Sequence, residues 1–590
     1  MREKEYRIWP GLVVSLLLAF ACGVFVYQVM GFTYDIADDI IMRDIASGAF
    51  TGTPDGHLIF VRYALGFLIS RLYLLNRSVD WYGFVIAGAP FLGVAAVLYR
   101  GLSAKKNLGW KAVYAGFAIG IFILSTLMYL VWFQWTVSAA VVGASALYLY
   151  ATISIKSDGP GIADGIFIWL LLTLTYSIRT MVFLMVLPGF AIVFLCRFLR
   201  KNERKLCFRW KEVFLPAAVF LSVGIVAVIE SFAYPGAEWE EYERFQDARL
   251  QVYDYSGVPS YENHTAFYEE IGLNEHEVRN LRHYAFYLVE GMDAEMLGKI
   301  GQISEQTSSM PAGFFGKLKS GMKLVMQQMS EQQFLPIGIP MLLFLIASVF
   351  LTVRYQKLAF IPLLLFLCVE GGLWLKLGFS GRLPERVTFA MYLVQVMGLA
   401  ALFYQLYLLA EEEKLKEIQR GWKGGKAAVL DQRHRRIITG IFLFLCFGAV
   451  VLRGMQVYKV APKEPANYQL FKDGCKNDTD RLYFIETYMA EPLGGAMVTA
   501  RGDFRQNRCV TLGDWYSTSP LDQKRFESLG ITNAEETILT DPNAYLVVRN
   551  EQEPGFYEGY FAEKYPGCRL VCCESREING REYYFYQVQR

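Results

Sequence analysis

The chain has 590 residues, 54% of them hydrophobic and only 19% charged, with a mean hydropathy of +0.26. A water-soluble protein of this length could not cover so much apolar side chain, so lipid must be the solvent for a large part of it. The net charge of +2 excludes a global basic field of the kind that draws in nucleic acid. Aromatic residues, at 15% and rich in Tyr and Phe, suit interfacial belts and the stacking of sugars.

In chain order, a polar start (Met1–Arg7) gives way to an apolar run from Trp9 to Met30, long enough to cross a bilayer. It reads as an uncleaved first helix. No small-x-small cleavage site stands out, the run is long for a signal peptide, and Ala19-Phe-Ala-Cys22 lacks the large aliphatic that a lipoprotein cysteine would need. Next, His57–Leu75 is apolar but carries Arg62 and Arg71. Counting it as a span would invert every later loop, so an amphipathic helix lying in the outer interface is expected. Further spans are expected at 80–99, 112–131, 136–154, 163–178, 180–198, 212–233, 334–353, 358–377, 387–409 and 437–457, making about eleven in all. The connections containing Arg100 to Lys111, Arg197 to Lys211, Arg354 with Lys357, and Lys414 to Arg436 are rich in Lys and Arg and alternate with loops that are poor in them. That alternation places the N-terminus inside and the C-terminus outside.

Three pieces then lie outside the membrane: a first loop over 31–80, a middle loop over 235–333 and a C-terminal region over 459–590. The expected organisation is a mainly α, polytopic membrane domain over 1–458 and a small extracytoplasmic α/β domain over 459–590. In the latter, Met497–Ala500 and Ala544–Val548 read as strands and Pro554–Tyr565 as a helix. Arg569–Ile578 and Arg581–Val588 flank Asn579-Gly580, a strong hairpin signal. Glu411–Arg436 reads as a charged cytoplasmic loop or short helix. Five of the ten cysteines (Cys475, Cys509, Cys568, Cys572, Cys573) fall in the C-terminal region, so at least one is unpaired within the chain. No zinc-type Cys/His spacing occurs, and His264, His276 and His283 are too loosely spaced for a metal site. Arg501-Gly-Asp503 is a chance tripeptide; Asn263 and Asn477 open glycosylation triplets that matter only in a cell with that machinery.

The segment Tyr34-Asp-Ile-Ala-Asp38-Asp39-Ile-Ile-Met-Arg43-Asp44-Ile-Ala-Ser-Gly48 carries the most chemistry. On a helix, Asp35, Asp39 and Arg43 share a face and Asp38 is offset by one position. Adjacent carboxylates repel and call for a metal, an arginine or a substrate, and one of them could act as general base on a hydroxyl; helix capping and surface charge are the plainer explanation. A second feature is Ser380-Gly-Arg382-Leu-Pro-Glu385-Arg386, a short outer loop whose two arginines run against the charge bias. Guanidinium forks match phosphate oxygens, although a lipid headgroup or Glu385 would also satisfy them. Arg179, between two spans at the same face, and Arg62 join these as substrate-binding candidates. Glu370 and Lys376 lie in one span, six residues apart, so each is expected to meet another helix; Glu370 is a further binding candidate, with an interhelical hydrogen bond as the structural alternative. Trp239, Tyr242, Tyr253, Tyr255, Tyr261 and Tyr268 of the middle loop could stack on sugars or simply build a small helical cap.

A span, an acidic pair, an amphipathic helix, Ser47-Gly48, the Pro54-Asp55-Gly56-His57 turn, an interfacial helix ending in Leu72-Tyr73, and Trp81-Tyr82 follow one another without a break. This succession resembles the first outer loop of the C-type (GT-C) membrane glycosyltransferases, among them protein O-mannosyltransferases, aminoarabinose transferases and bacterial O-antigen glucosyltransferases. The resemblance is architectural over most of the chain and local over about residues 31–82. Other members often carry Asp-Glu where Asp38-Asp39 stands, and a Pro-Pro turn where Asp55-Gly56-His57 stands. The resemblance implies an inverting transferase of the plasma (inner) membrane, with its active site on the outer face. Its donor would be a polyprenyl-phosphate sugar and its acceptor a cell-envelope glycan or lipid. Asp38 or Asp39 would be the catalytic base or the ligand of a divalent cation, Mg or Mn. The rivals are a polymerase or ligase of lipid-linked glycans, a transporter, which should show repeats and broken helices, and a non-catalytic scaffold.

Overall fold

The computed structural model describes residues 8–153, 160–202, 205–307, 313–355, 359–419, 447–461, 467–486, 495–497, 502–549 and 554–590. Helices dominate, and among the described residues nine are long and apolar enough to cross a membrane: Pro10–Met30, Trp81–Leu102, Leu108–Val131, Trp135–Thr152, Thr180–Phe198, Trp210–Ala233, Gln332–Arg354, Phe360–Phe379 and Glu385–Ala410. That is the signature of a polytopic integral membrane protein. The expected span at 163–178 is the apolar helix Ile162–Ile178, 17 residues long and so below full spanning length. The one expected at 437–457 is described only from 447, where a helix runs over 447–460; its start lies outside the described residues. Of the charged stretch Glu411–Arg436, residues 411–419 prolong the helix Glu385–Gln419 and the rest lies outside the described residues.

Trp135–Thr152 is the hub, buried along nearly its whole length. Its Ala139, Ala140, Gly143, Ala144 and Ala146 let neighbouring helices come close: a Cβ on Gly143 would sit 3.0 Å from both Thr175 and Val186. Pro10–Met30 and Gln332–Arg354 lie at the periphery and expose Leu, Phe and Val, as lipid-facing helices should. Helix starts are fixed locally. Asp80 and Asn107 accept the backbone N–H groups of Gly83 and Trp110. Between Thr180–Phe198 and Trp210–Ala233, Arg197 forks onto Glu212 with contacts of 3.0 and 2.9 Å, and the pair is almost wholly buried. Arg197 therefore adds nothing to the net charge of its connection, although the sequence reads it as part of a basic loop.

The strands are β1 (Thr33–Tyr34), β2 (Trp132–Phe133), β3 (Leu199–Asn202), β4 (Lys205–Phe208), β5 (Leu482–Ile485), β6 (Gly495–Ala496), β7 (Cys509–Thr511), β8 (Ala544–Arg549), β9 (Arg569–Ile578) and β10 (Arg581–Gln589). In the C-terminal region a mixed sheet runs β7-β5-β8-β10-β9, parallel across the first three strands and antiparallel across the last three. The β9–β10 turn is as expected: Asn579 (φ 49°) and Gly580 (φ 77°) both take the left-handed conformation that a two-residue hairpin requires. The expected strand at Met497–Ala500 is displaced. Pairing falls on Gly495–Ala496, Met497 still donates its N–H to the Phe32 carbonyl, and residues 498–501 lie outside the described residues.

The first loop, the middle loop and the C-terminal region interlock. β6 pairs with β1 of the first loop, and Asn507 and Gly502 donate backbone N–H groups to the Ala49 and Ser78 carbonyls. From the middle loop, Ala285 and Leu288 are buried in the same apolar cluster as Phe484, Val510, Leu546 and Phe561 of the sheet domain, and Tyr287 donates to the Leu512 carbonyl at 3.0 Å. The expected separate domain over 459–590 thus shares its core and its hydrogen bonding with the first and middle loops.

Candidate functional site

β1 and β2 pair in parallel, Thr33 opposite Trp132 and Tyr34 opposite Phe133. Each strand leads straight into a helix, so this short ladder sets the start of the acidic helix Ala37–Ser47 beside the start of Trp135–Thr152. The acidic helix begins at Ala37, so Asp35 precedes it and is exposed; the expected shared face of Asp35, Asp39 and Arg43 does not form. Asp38 and Asp39 fall in the first turn, where the helix macrodipole favours negative charge. Gly48 ends the helix at φ 88°, and its position leaves no space for a Cβ against Thr53 and Pro54, which accounts for the Ser47-Gly48 step.

The acidic pair divides. Asp39 is fully buried and accepts a 2.6 Å hydrogen bond from the Tyr82 hydroxyl. Burial pushes its carboxyl well above the usual range, the Tyr82 hydrogen bond opposes this, and the charge of Asp38 adds to it. Asp38, deep but still partly accessible, faces arginines. Burial raises its carboxyl, while Arg386, Arg249 and Arg179, in that order, pull it back and Asp254 adds to the rise. Arg179 lies between two helices, with its guanidinium 5.4 Å from the Trp135 ring and 5.8 Å from Phe60; Arg386 lies 5.9 Å from the same indole. Among the described residues neither guanidinium has a hydrogen bond or an ion pair. Burial, and then Arg386, pulls the Arg179 guanidinium from 12.5 down to about 10. Two guanidiniums that make no hydrogen bond or ion pair among the described residues, set close to Asp38, are an arrangement that can take up an anion.

Sequence reasoning missed Arg249, Trp135 and Trp515. Arg249 ends the middle-loop helix Ala237–Arg249 and is aimed by hydrogen bonds to Gln246 and to the Tyr284 hydroxyl. Trp515 packs 4.7 Å from Phe60, which stacks on Trp135 at 5.7 Å; the indole N–H groups of Trp135 and Trp515 are buried without partners among the described residues. The only local cue was an interfacial aromatic opening a span, which singles out Trp135 alone.

The remaining candidates lie further out. Arg382 pairs with Asp254 at 2.6 Å and reaches Asp38 only through that carboxylate's charge. Arg62 donates to the Thr180 hydroxyl at 2.9 Å and lies 3.6 Å from Glu230, tying the first loop to the helix ends. Glu370 is buried in Phe360–Phe379, facing Gln395 of the next long helix, and no hydrogen bond or ion pair joins it to the Asp38 cluster among the described residues. Glu385 is engaged by the Tyr129 hydroxyl at 2.7 Å rather than by either loop arginine. Of the middle-loop aromatics, Trp239, Tyr242 and Tyr268 are core residues, as the helical-cap reading has it.

Hard cations seek clustered oxygen donors. Tyr82 bonds one oxygen of Asp39 and the other is buried without a partner among the described residues; three guanidiniums and the Asp254 carboxylate act on Asp38; and among the described residues no group of three or more His, Cys, Asp or Glu side chains is placed to hold a metal. No protein-family model, curated protein or solved structure matches the chain.

Proposed function

We propose that the protein is a membrane glycosyltransferase of the GT-C type, moving a sugar from a polyprenyl-phosphate carrier to a cell-envelope glycan or lipid on the outer face of the plasma (inner) membrane, with its N-terminus inside and its C-terminus outside. One observation carries the reading: the charges of Arg386, Arg249 and Arg179 act on Asp38, and among the described residues neither the Arg386 nor the Arg179 guanidinium makes a hydrogen bond or an ion pair. A phosphate-linked sugar donor supplies an anion for the guanidiniums, and the acceptor hydroxyl supplies a proton for the carboxylate.

In this reading the lipid carrier enters sideways between helices and its phosphate docks on Arg179 and Arg386. Asp38 draws the proton from the acceptor hydroxyl as that oxygen attacks the anomeric carbon from the face opposite the phosphate. The carbon–oxygen bond to phosphate breaks, its electrons leave on the lipid phosphate, and the arginines hold the charge. Asp39 and Tyr82 position the helix that carries Asp38. Arg382 and Arg62 brace the loops, and no metal step is included.

The test is transfer from a panel of radiolabelled polyprenyl-phosphate sugars by protein reconstituted in lipid, with a crude envelope fraction as acceptor. Asp38→Asn should lower turnover by about 10²–10⁴-fold, the usual yield of a general base, while the protein stays folded and monodisperse. Transfer at the wild-type rate by Asp38→Asn, or no turnover with any donor, would sink the reading.

A further inference from the structure

The middle loop ends in the helix Phe314–Met329, which lies outside the nine spanning helices and leads directly into the span Gln332–Arg354. What it packs on sets its height relative to the membrane. Gly321 meets Gly378, the last residue but one of the span Phe360–Phe379, backbone to backbone. A Cβ on Gly321 would sit 2.7 Å from the Gly378 carbonyl carbon, and a Cβ on Gly378 would sit 2.6 Å from the Gly321 oxygen. The Phe314 ring lies 5.7 Å from that of Phe379. At the other end, the Met329 carbonyl lies 3.5 Å from the hydroxyl of Tyr392, two turns inside the span Glu385–Ala410. The helix is thus held across the ends of two spans, where hydrocarbon gives way to water. It lies on the side of the membrane to which the Phe360–Phe379 span delivers the loop with Arg382 and Arg386.

One face of this helix is left uncovered. Gly321 and Val325 are buried against the span, whereas Phe315, Met322, Met326 and Met329, which recur at helical spacing together with Leu318, point away from it. Phe315 is 82% exposed and Met326 69%. A continuous apolar row of this kind marks a surface that meets something other than water. Its charges are one-sided. Phe314–Met329 contains three exposed lysines, Lys317, Lys319 and Lys323, and no acidic residue. Among the described residues none of the three has an ion pair. Lys319 and Lys323 line an open groove of about 850 Å³ together with Phe315, Leu318, Met322 and Met326. An apolar floor beside a cationic edge is the pattern of a helix lying in the membrane interface.

We infer that Phe314–Met329 is a docking site for an anionic phospholipid of the surrounding leaflet. Its headgroup phosphate pairs with Lys319 and Lys323, and the upper part of an acyl chain lies along Phe315, Met322 and Met326. Two observations single out this occupant. The helix is fastened to the ends of spanning helices, so its open face is continuous with the lipid-facing surface of the protein. The groove carries positive charge without a counter-ion among the described residues, which an anionic headgroup complements and a zwitterionic one, with its own cation, does not. A second copy of the chain docking through the same face would set these lysines against one another. The lipid contact ties the end of the middle loop to the bilayer, and the inference stands independently of glycosyl transfer.

The test uses the full chain in phosphatidylcholine vesicles that contain a small fraction of a photoactivatable diazirine lipid, either phosphatidylglycerol or phosphatidylcholine. After irradiation the adducts are mapped by peptide mass spectrometry, with Gln332–Arg354 as the internal reference that both probes should mark equally. The phosphatidylglycerol probe should mark Phe314–Met329 about 5–25-fold more than the phosphatidylcholine probe, because each lysine near an anionic headgroup contributes roughly fivefold. Unlabelled phosphatidylglycerol should compete, and about 1 M salt should weaken the preference. Lys319→Gln with Lys323→Gln should remove the preference and leave the labelling of the apolar row, in a protein that stays monodisperse. Equal marking of the helix by both probes in the wild type, or a preference that survives the double substitution, would overturn the inference. So would a helix left unmarked by either probe while the neighbouring span is marked. Its cover would then be a second copy if the reconstituted chains cross-link to each other through this helix, and another protein if they do not.

Discussion

Replacing Arg386 with Gln separates the cost of the arginine pair from its use. Burial and Arg386 together bring the Arg179 guanidinium from 12.5 to about 10. At about 1.4 kcal/mol for each tenfold change, this is a penalty of roughly 3 kcal/mol on the charged form. Burial is the larger cause and the repulsion from Arg386 the smaller, while Asp38 acts the other way. The sign follows from the direction of the shift. A cation whose proton affinity is lower in the folded protein destabilises the fold at every pH below about 10, so relieving the repulsion stabilises at neutral pH. Arg386→Gln keeps most of the volume and removes the charge; relief of Arg179 is offset by the loss of the arginine that acts most strongly on Asp38, so the melting temperature should move by no more than about 1–2 °C in lipid nanodiscs. The same change removes a charge-assisted contact to the donor's phosphate, of about 1.5–3 kcal/mol, so the affinity for a polyprenyl phosphate should fall about 10–150-fold. Binding can be followed by tryptophan fluorescence, because Trp135 lies under both arginines. A larger fall in melting temperature together with unchanged affinity would refute the reasoning, since Arg386 would then be a structural residue with a partner.

Three further outcomes are expected. Glu212→Ala leaves Arg197, 2% exposed, without its counter-ion; it should cost about 3–5 kcal/mol and read out as a large drop in melting temperature, whereas the paired change Arg197→Met with Glu212→Leu should be far milder. Gly513→Ala must push the turn that carries Trp515 off the Tyr284 carbonyl; transfer should fall about 10–100-fold with donor binding intact, measured by the same fluorescence titration. The thiols of Cys475 and Cys509 are buried within hydrogen-bonding reach of each other; in an oxidising compartment they should join, closing a loop that stabilises the sheet domain by about 4 kcal/mol on chain entropy, and mass spectrometry of unreduced peptides would detect the link.

What could be read from the sequence was local, and what could not was long-range. Apolar runs placed the spanning helices because bilayer thickness dictates their length, and Asn579-Gly580 placed the hairpin because few residues accept positive φ at both central positions. Helical periodicity misjudged the acidic segment, because the helix starts only where β1 ends and so leaves Asp35 outside it. Neither propensity nor spacing separates Asp38 from Asp39. Tyr82 does that, by reaching back from the next span to bond one carboxylate and leave the other to the arginines. Arg249 carries no local mark at all, because it closes an ordinary polar helix. It becomes a site residue only because the middle loop contributes Ala285 and Leu288 to the sheet domain's core and holds the Trp515 carbonyl, so that packing among distant segments brings its charge to bear on Asp38. The candidate site is therefore a property of the assembled loops and sheet domain. It follows that a change which loosens that assembly without touching a charged residue, such as Gln246→Leu at the Trp515 carbonyl, should impair transfer more than it impairs docking of the lipid phosphate on Arg179 and Arg386.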